Sequence, residues 1–194
     1  MAKPLATGKT AEVTLPRTAS QLRITFVTTP DRPFLAAAAI GGPRMDWDRY
    51  FLTLAEAAAT RSTCTNRQVG AVIVKGRHLV ATGYNGGPRG YGHCDEGACP
   101  RSNSGDATGW DYANCIAIHA EANAIMFSSP EARDGATIYT STFPCFECAK
   151  LLANSGINEV VAHTVYDNHE RVKGFMQDAG LRVRVLDPAT TPLL

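Results

Sequence analysis

HAEANAIMFSSPEARDGATIYTSTFPCFEC runs from His119 to Cys148, and this stretch decides the fold. Its start reads as a helix over 119–128, Gly135 punctuates the chain, and Thr137 to Thr142 reads as a strand. Pro144-Cys145 then opens a second helix over 145–154. Downstream the alternation continues with a strand at 158–163, a helix at 169–178 and a strand at 181–186, with Gly156 and Gly180 ahead of the last two strands. Upstream, Asp46 caps a helix whose Trp47, Tyr50, Phe51, Leu54 and Ala58 fall at helical spacing. Val69 to Val74 and Leu79 to Tyr84 form a hairpin about Lys75-Gly76-Arg77. The hairpin strands pair antiparallel. Each later strand is separated from the next by a helix, which allows parallel neighbours through right-handed crossovers. The expectation is a three-layer α/β/α fold with a mixed five-stranded sheet.

Composition excludes several classes. At roughly 150 residues per domain, 194 residues make one domain plus an appendage. A chain that is 44% hydrophobic and 19% charged is globular rather than disordered. Basic and acidic residues number 19 and 18, which argues against a life on bulk phosphate backbone. Apolar runs such as Phe34 to Ile40 fall far below the ~20 residues of a bilayer span, and the first twenty residues hold no secretory core. Membrane and export readings are set aside, and the expected location is the cytoplasm. Residues 1–44 carry six basic and two acidic side chains, leaving a formal −3 on the remaining 150. This segment, with one strand-like stretch at Leu22 to Thr28, reads as a flexible or loosely docked N-terminal extension. Residues 45–188 read as the folded domain and 189–194 as a tail. Gly8-Lys9-Thr10 imitates the end of a phosphate loop, but Lys3 stands where the pattern needs glycine and no strand precedes it. Residues 85–113 form a long glycine-rich loop of the kind that is functional or organised by metal.

The six cysteines sit beside histidines in a chain with no export signal, which favours metal or catalysis over disulfides. A Cys-x-x-Cys pair at a helix start, Cys145 and Cys148, can aim both sulfurs at one point, and helix N-terminal amides favour thiolates. His119 adds a third, borderline ligand, and the set suits Zn²⁺ with its fourth position left for water. Zinc lowers the pKa of that water towards ~7. Glu121, two residues past His119, is the catalytic candidate: a carboxylate that moves protons from the water to the substrate ring nitrogen and the departing amine.

His-x-Glu followed by Pro-Cys-x-x-Cys is the recognised pattern of zinc nucleobase deaminases. Residues 46–186 resemble the cytidine deaminase superfamily and, within it, the deoxycytidylate (dCMP) deaminases. The matching stretches are Arg61-Ser62-Thr63-Cys64, Gln68 to Val74, Gly83-Tyr84-Asn85-Gly86, His93-Cys94-Asp95-Glu96, His119 to Ile125 and Phe143 to Lys150. The extension lies outside the resemblance.

The resemblance implies hydrolysis of dCMP to dUMP and ammonia, supplying the precursor of thymidylate, on a cytidine-deaminase-like fold. It implies that the Ala120 backbone holds the base, that Asn85 contacts the sugar, that Ser62 and Arg67 serve the 5′-phosphate, and that Tyr166 closes over the substrate. It further implies a second, structural zinc on Cys64, His93, Cys99 and Cys115, with Cys94 as an alternative. A homohexamer and control by dCTP and dTTP, with Mg²⁺ accompanying a nucleotide effector, complete the implied picture; no nucleic acid or membrane partner is expected. Rival readings are a tRNA adenosine deaminase, a free cytidine or deoxycytidine deaminase, a riboflavin-pathway deaminase and a non-catalytic nucleotide-binding regulator. The −3 balance disfavours the RNA enzyme, the length leaves no room for the reductase domain of the riboflavin enzyme, and Glu121 disfavours the regulator.

Overall fold

Asp46 starts the fold as its side chain favours, with Oδ1 accepting from the Arg49 N–H at 3.0 Å at the head of α1 (Trp47–Ala59). The computed structural model describes residues 44–103, 114–167 and 169–188. Residues 1–43 of the extension, including Leu22 to Thr28, and the 189–194 tail lie outside them. After α1 come β1 (Gly70–Lys75), β2 (His78–Tyr84), α2 (Pro100–Asn103), α3 (Ala120–Met126), α4 (Pro130–Arg133), β3 (Thr137–Thr142), α5 (Phe146–Ala153), β4 (Glu159–Thr164), α6 (His169–Asp178) and β5 (Arg182–Val185). The expected elements are present to within about two residues at each end.

The five strands lie in the order β2-β1-β3-β4-β5. β1 runs antiparallel to both β2 and β3, whereas β3, β4 and β5 are parallel. Because side chains alternate across a strand, β1 feeds two cores at once. Ala71 and Ile73 join Ala124, Ile138, Leu152, Val160 and Met176 on the face covered by α3, α5 and α6. Val72 and Val74 join Phe51, Leu52, Tyr139 and Val161 under α1. A continuous apolar run therefore marks a strand covered on both sides. At the far edge, Arg184 ties β5 to α1 through Asp48 and to β4 through Glu159, and Tyr139 donates to Asp48 at 2.9 Å. The Arg184 guanidinium holds the Asp48 carboxyl below the usual carboxylate range.

Two departures from the sequence reading matter for the site. The helix expected over 119–128 stops at Met126, because Pro130 opens a helix of its own with Ser129 as its cap, accepting from Ala132 N–H at 3.2 Å. From that short helix, Arg133 reaches the carbonyls of Ser128 at 2.8 Å and Ser155 at 3.0 Å, just beyond the C-terminal ends of α3 and α5. Its positive charge lies at the C-terminal ends of both helices, where their dipoles favour a cation. The long loop is also partly structured: Gly86 pairs with Ile118, and Cys94–Glu96 make a 3₁₀ turn. Residues 104–113 of that loop lie outside the described residues. Among the described residues, no helix is long and apolar enough to cross a membrane.

Gly83 sets how near α3 comes to the sheet. A Cβ there would lie 2.1 Å from the Ala120 carbonyl oxygen and 2.5 Å from the Ala124 nitrogen. Gly83→Ala is therefore expected to destabilise the protein by ~1–3 kcal/mol and to lower its activity, since α3 must retreat. Gly174→Ala in α6, where a Cβ meets nothing within 4 Å, is expected to stabilise by ~0.5–1 kcal/mol. Thermal unfolding of the two variants beside the parent checks both signs.

Candidate active site

Both metal-ligand motifs are helix caps. His119 is the N-cap of α3 and Cys145 the N-cap of α5, each with extended backbone before its helix. The chain reaches His119 through Ile118, which exchanges backbone hydrogen bonds with Gly86 at 2.9 and 3.2 Å. It reaches Cys145 from the end of β3, where the Phe143 N–H donates to the Thr164 carbonyl at 2.7 Å. The two N-termini thus bring His119 Nδ1 to 3.3 Å from Cys145 Sγ and 3.4 Å from Cys148 Sγ. Among the described residues, these three form the one group of metal-ligating side chains whose donor atoms all lie within 4.8 Å of one another.

Glu121, in the first turn of α3, is 3% exposed, and its Oε2 lies 3.5 Å from Cys148 Sγ. Burial pushes its carboxyl above the usual range. The cysteines divide their proton unequally. Cys145 is driven down by hydrogen bonds from the Cys148 thiol, His119 and the Cys148 amide, whereas Cys148 is driven up by its neighbour and by burial. The sulfur contact with Cys145 raises His119.

Ser62, Arg67 and Asn85 form a clasp. Asn85 Oδ1 accepts from Ser62 Oγ at 2.7 Å and from Val69 N–H at 2.8 Å, while its Nδ2 donates to the Arg67 carbonyl at 2.8 Å. Ser62 and Asn85 are both 7% exposed. Arg67 has an exposed side chain. The structure therefore joins Ser62, Arg67 and Asn85 and, through Gly86 and Ile118, attaches them to the strand-like residue preceding His119. Thr63, given no role in the sequence reading, presents a buried Oγ1 with no hydrogen-bond partner, and a Cβ on Gly86 would come within 3.0 Å of it. Asn123, also given no role, ties α3 to the end of β2 by donating to the Tyr84 carbonyl at 2.7 Å. Its position two residues after Glu121 was the available signal. Tyr166 points its hydroxyl at the Pro144 carbonyl, 2.6 Å away.

Two loop cysteines, Cys94 and Cys99, meet each other. Cys94 is buried against Cys99, and burial followed by the Cys99 contact pushes its thiol up to about 12, with Cys64 and Cys115 contributing. His93 instead stays exposed at the head of the 3₁₀ turn, its backbone N–H donating to Glu96 at 3.1 Å.

One nitrogen and two sulfurs at these separations fit zinc, whose bonds of ~2.0–2.3 Å give tetrahedral edges of about 3.5–3.8 Å. Fold and site together define an α/β protein with a single-metal centre and an adjacent buried carboxylate. Residues 45–164 match the family model described as the cytidine and deoxycytidylate deaminase zinc-binding region, and the chain belongs to that family. It is 49% identical over 123 residues to the deoxycytidylate deaminase of Mycobacterium phage D29, covering 61% of this chain and 94% of the phage protein. It is 42% identical over 146 residues to the deoxycytidylate deaminase of Schizosaccharomyces pombe, covering 75% of this chain but 45% of the yeast protein. The chain thus spans just under half the length of that relative. The crystal structure of the dCMP deaminase of cyanophage S-TIM5 in apo form superposes with a TM-score of 0.56 at 25% identity, covering 72% of this chain and 96% of that one.

Zinc must displace the proton of His119, whose pKa is raised above its ordinary 6.5. The Cys148 thiol, driven up as well, must also give up its proton, so apparent zinc affinity at this centre is expected to fall by at least about tenfold per pH unit as pH drops from 7.5 towards 5.5. Competition with a chelator of known affinity measures it, and a flat profile would contradict the ligand assignment.

Proposed function

We propose that the chain catalyses the hydrolytic deamination of dCMP to dUMP and ammonia, with zinc held by His119, Cys145 and Cys148. The observation that carries this reading is the buried Glu121 carboxyl beside three converging metal donors. Bound there, zinc would act as a Lewis acid and lower the pKa of a water towards ~7. Glu121 is suited to carry protons at Oε2: burial raises its proton affinity towards the working pH, so it can accept a proton and return it to the ring nitrogen or the departing amine. Ala120 is buried at the first position of α3, where the N–H has no acceptor inside the helix and is available to the base. The Ser62–Asn85–Arg67 clasp is the sugar and phosphate side of this proposal. The phage relative, matched over nearly its whole length and named deoxycytidylate deaminase, supports the choice of substrate.

The proposal extends to the finer expectations. A second, structural zinc is drawn from Cys64, His93, Cys99 and Cys115, with Cys94 as the alternative, supported by the Cys94–Cys99 contact in a loop with few apolar residues. A homo-oligomer, a hexamer on the resemblance, is supported by large apolar side chains left exposed, Met126, Phe127 and Leu151 among them. Control by dCTP and dTTP, with Mg²⁺ accompanying the effector, and a cytoplasmic location follow from the same resemblance.

Ammonia release from dCMP, dCTP, deoxycytidine and cytidine tests the substrate. A dianionic phosphate offers charge-assisted hydrogen bonds that the nucleoside lacks, and these can hold the base in place. Efficiency on dCMP is expected to exceed that on deoxycytidine by at least ~100-fold, about 2.7 kcal/mol of transition-state binding. Equal efficiencies would move the protein to the nucleoside enzymes. Metal analysis is expected to give close to two zinc ions per chain (~2, one for each site). That value should fall towards one in the Cys99→Ala/Cys115→Ala variant, and a parent value near one that the double variant leaves unchanged rules out the loop site.

A further inference from the structure

The residue before Cys145 is a proline, which contributes a backbone carbonyl but no N–H of its own. That carbonyl accepts the Tyr166 hydroxyl at 2.6 Å. Cys145 itself is a helix cap with extended backbone, φ −72° and ψ 170°. Turning the Pro144–Cys145 peptide plane would redirect the Cα–Cβ bond of Cys145 and swing its sulfur away from His119 Nδ1, now 3.3 Å distant. Whatever holds the Pro144 carbonyl therefore aims the sulfur.

Tyr166 is well placed to hold it. Its ring packs against the core and meets Phe143 edge-on, with centroids 6.4 Å apart at 68°. The Tyr166 carbonyl accepts from both His169 donors, the backbone N–H at 3.2 Å and the ring Nδ1 at 2.9 Å. The His169 ring in turn lies against Phe143 at 5.6 Å. The turn between β4 and α6 thus grips Phe143 and Pro144 together, and its reach ends at the ligand. The single O–H proton of Tyr166 is engaged by backbone, which sets this geometry apart from a side chain closing over substrate.

We propose that Tyr166 is a positioning residue for the metal centre: its hydroxyl locks the Pro144 carbonyl and with it the direction of the Cys145 sulfur, while Phe143 and His169 keep the ring in place. The inference rests on the zinc reading above. Groups that orient metal ligands are commonly worth ~10–100-fold in metal affinity or activity.

Tyr166→Phe deletes one oxygen and keeps the ring. In zinc-loaded full-length protein, zinc release to an excess of chelator is followed, using the phase that is missing in Cys145→Ala. Thermal midpoint and the kcat and KM for dCMP are measured on the same samples. The expected result is release about tenfold faster, with kcat lowered several-fold and KM within about twofold of the parent. Unchanged release overturns the proposal. If KM rises while release is unchanged, Tyr166 is a substrate contact; if only the thermal midpoint falls, it is a packing residue. A parent protein with no such release phase would refute the metal reading itself, and this inference with it. Because release is read without substrate, a wrong choice of nucleotide leaves the test intact.

Discussion

The rest of the structure depends on two helix N-termini meeting at one point. His119 caps α3 and Cys145 caps α5, and neither helix alone can assemble a metal site. Short helices are marginal by themselves, so their alignment has to come from the surrounding packing. The absence of a side chain at Gly83 lets α3 lie directly on the sheet, and Asn123 pins its first turn to the end of β2. Arg133 binds carbonyls just past the far ends of both helices. The pair is held at both ends, which is what a three-donor site with edges near 3.4 Å requires.

That alignment also accounts for the placement of Glu121. Burying a carboxyl without a full set of partners is costly, and a protein engineered only for stability would replace it. Here burial beside the sulfur of Cys148 raises its proton affinity, the property a proton carrier needs near neutral pH. The clasp around Asn85 connects the loop after α1 to the metal ligand. One amide side chain ties that loop to the end of β2, and the next residue, Gly86, pairs with Ile118 beside His119. Loop and metal ligand are thereby set by a single short stretch of chain.

Much of this was legible in the sequence, for identifiable reasons. The Asp46 cap, the succession of helices and strands, and the His119, Glu121, Cys145 and Cys148 set all follow from local signals: a capping side chain, hydrophobic period and ligand spacing. Features that depend on which surfaces meet were not legible. The antiparallel pairing of β1 with β3 depends on which sheet edge accepts the later strands. The resemblance gives Tyr166 only as a residue that closes over substrate, and the packed turn adds that its hydroxyl meets the Pro144 carbonyl. Ser129-Pro130 was different: the cap and the proline at the first helical position were a readable helix start.

The central claim is that the triad holds the metal and Glu121 moves the proton, as separate duties in one pocket. The most direct measurement is zinc content and dCMP turnover on the same preparation of Glu121→Gln. The isosteric amide leaves His119, Cys145 and Cys148 untouched but cannot carry a proton. The account predicts parental zinc at the triad with turnover lower by at least ~10²–10⁴-fold. Zinc retained together with turnover near the parental rate would contradict it.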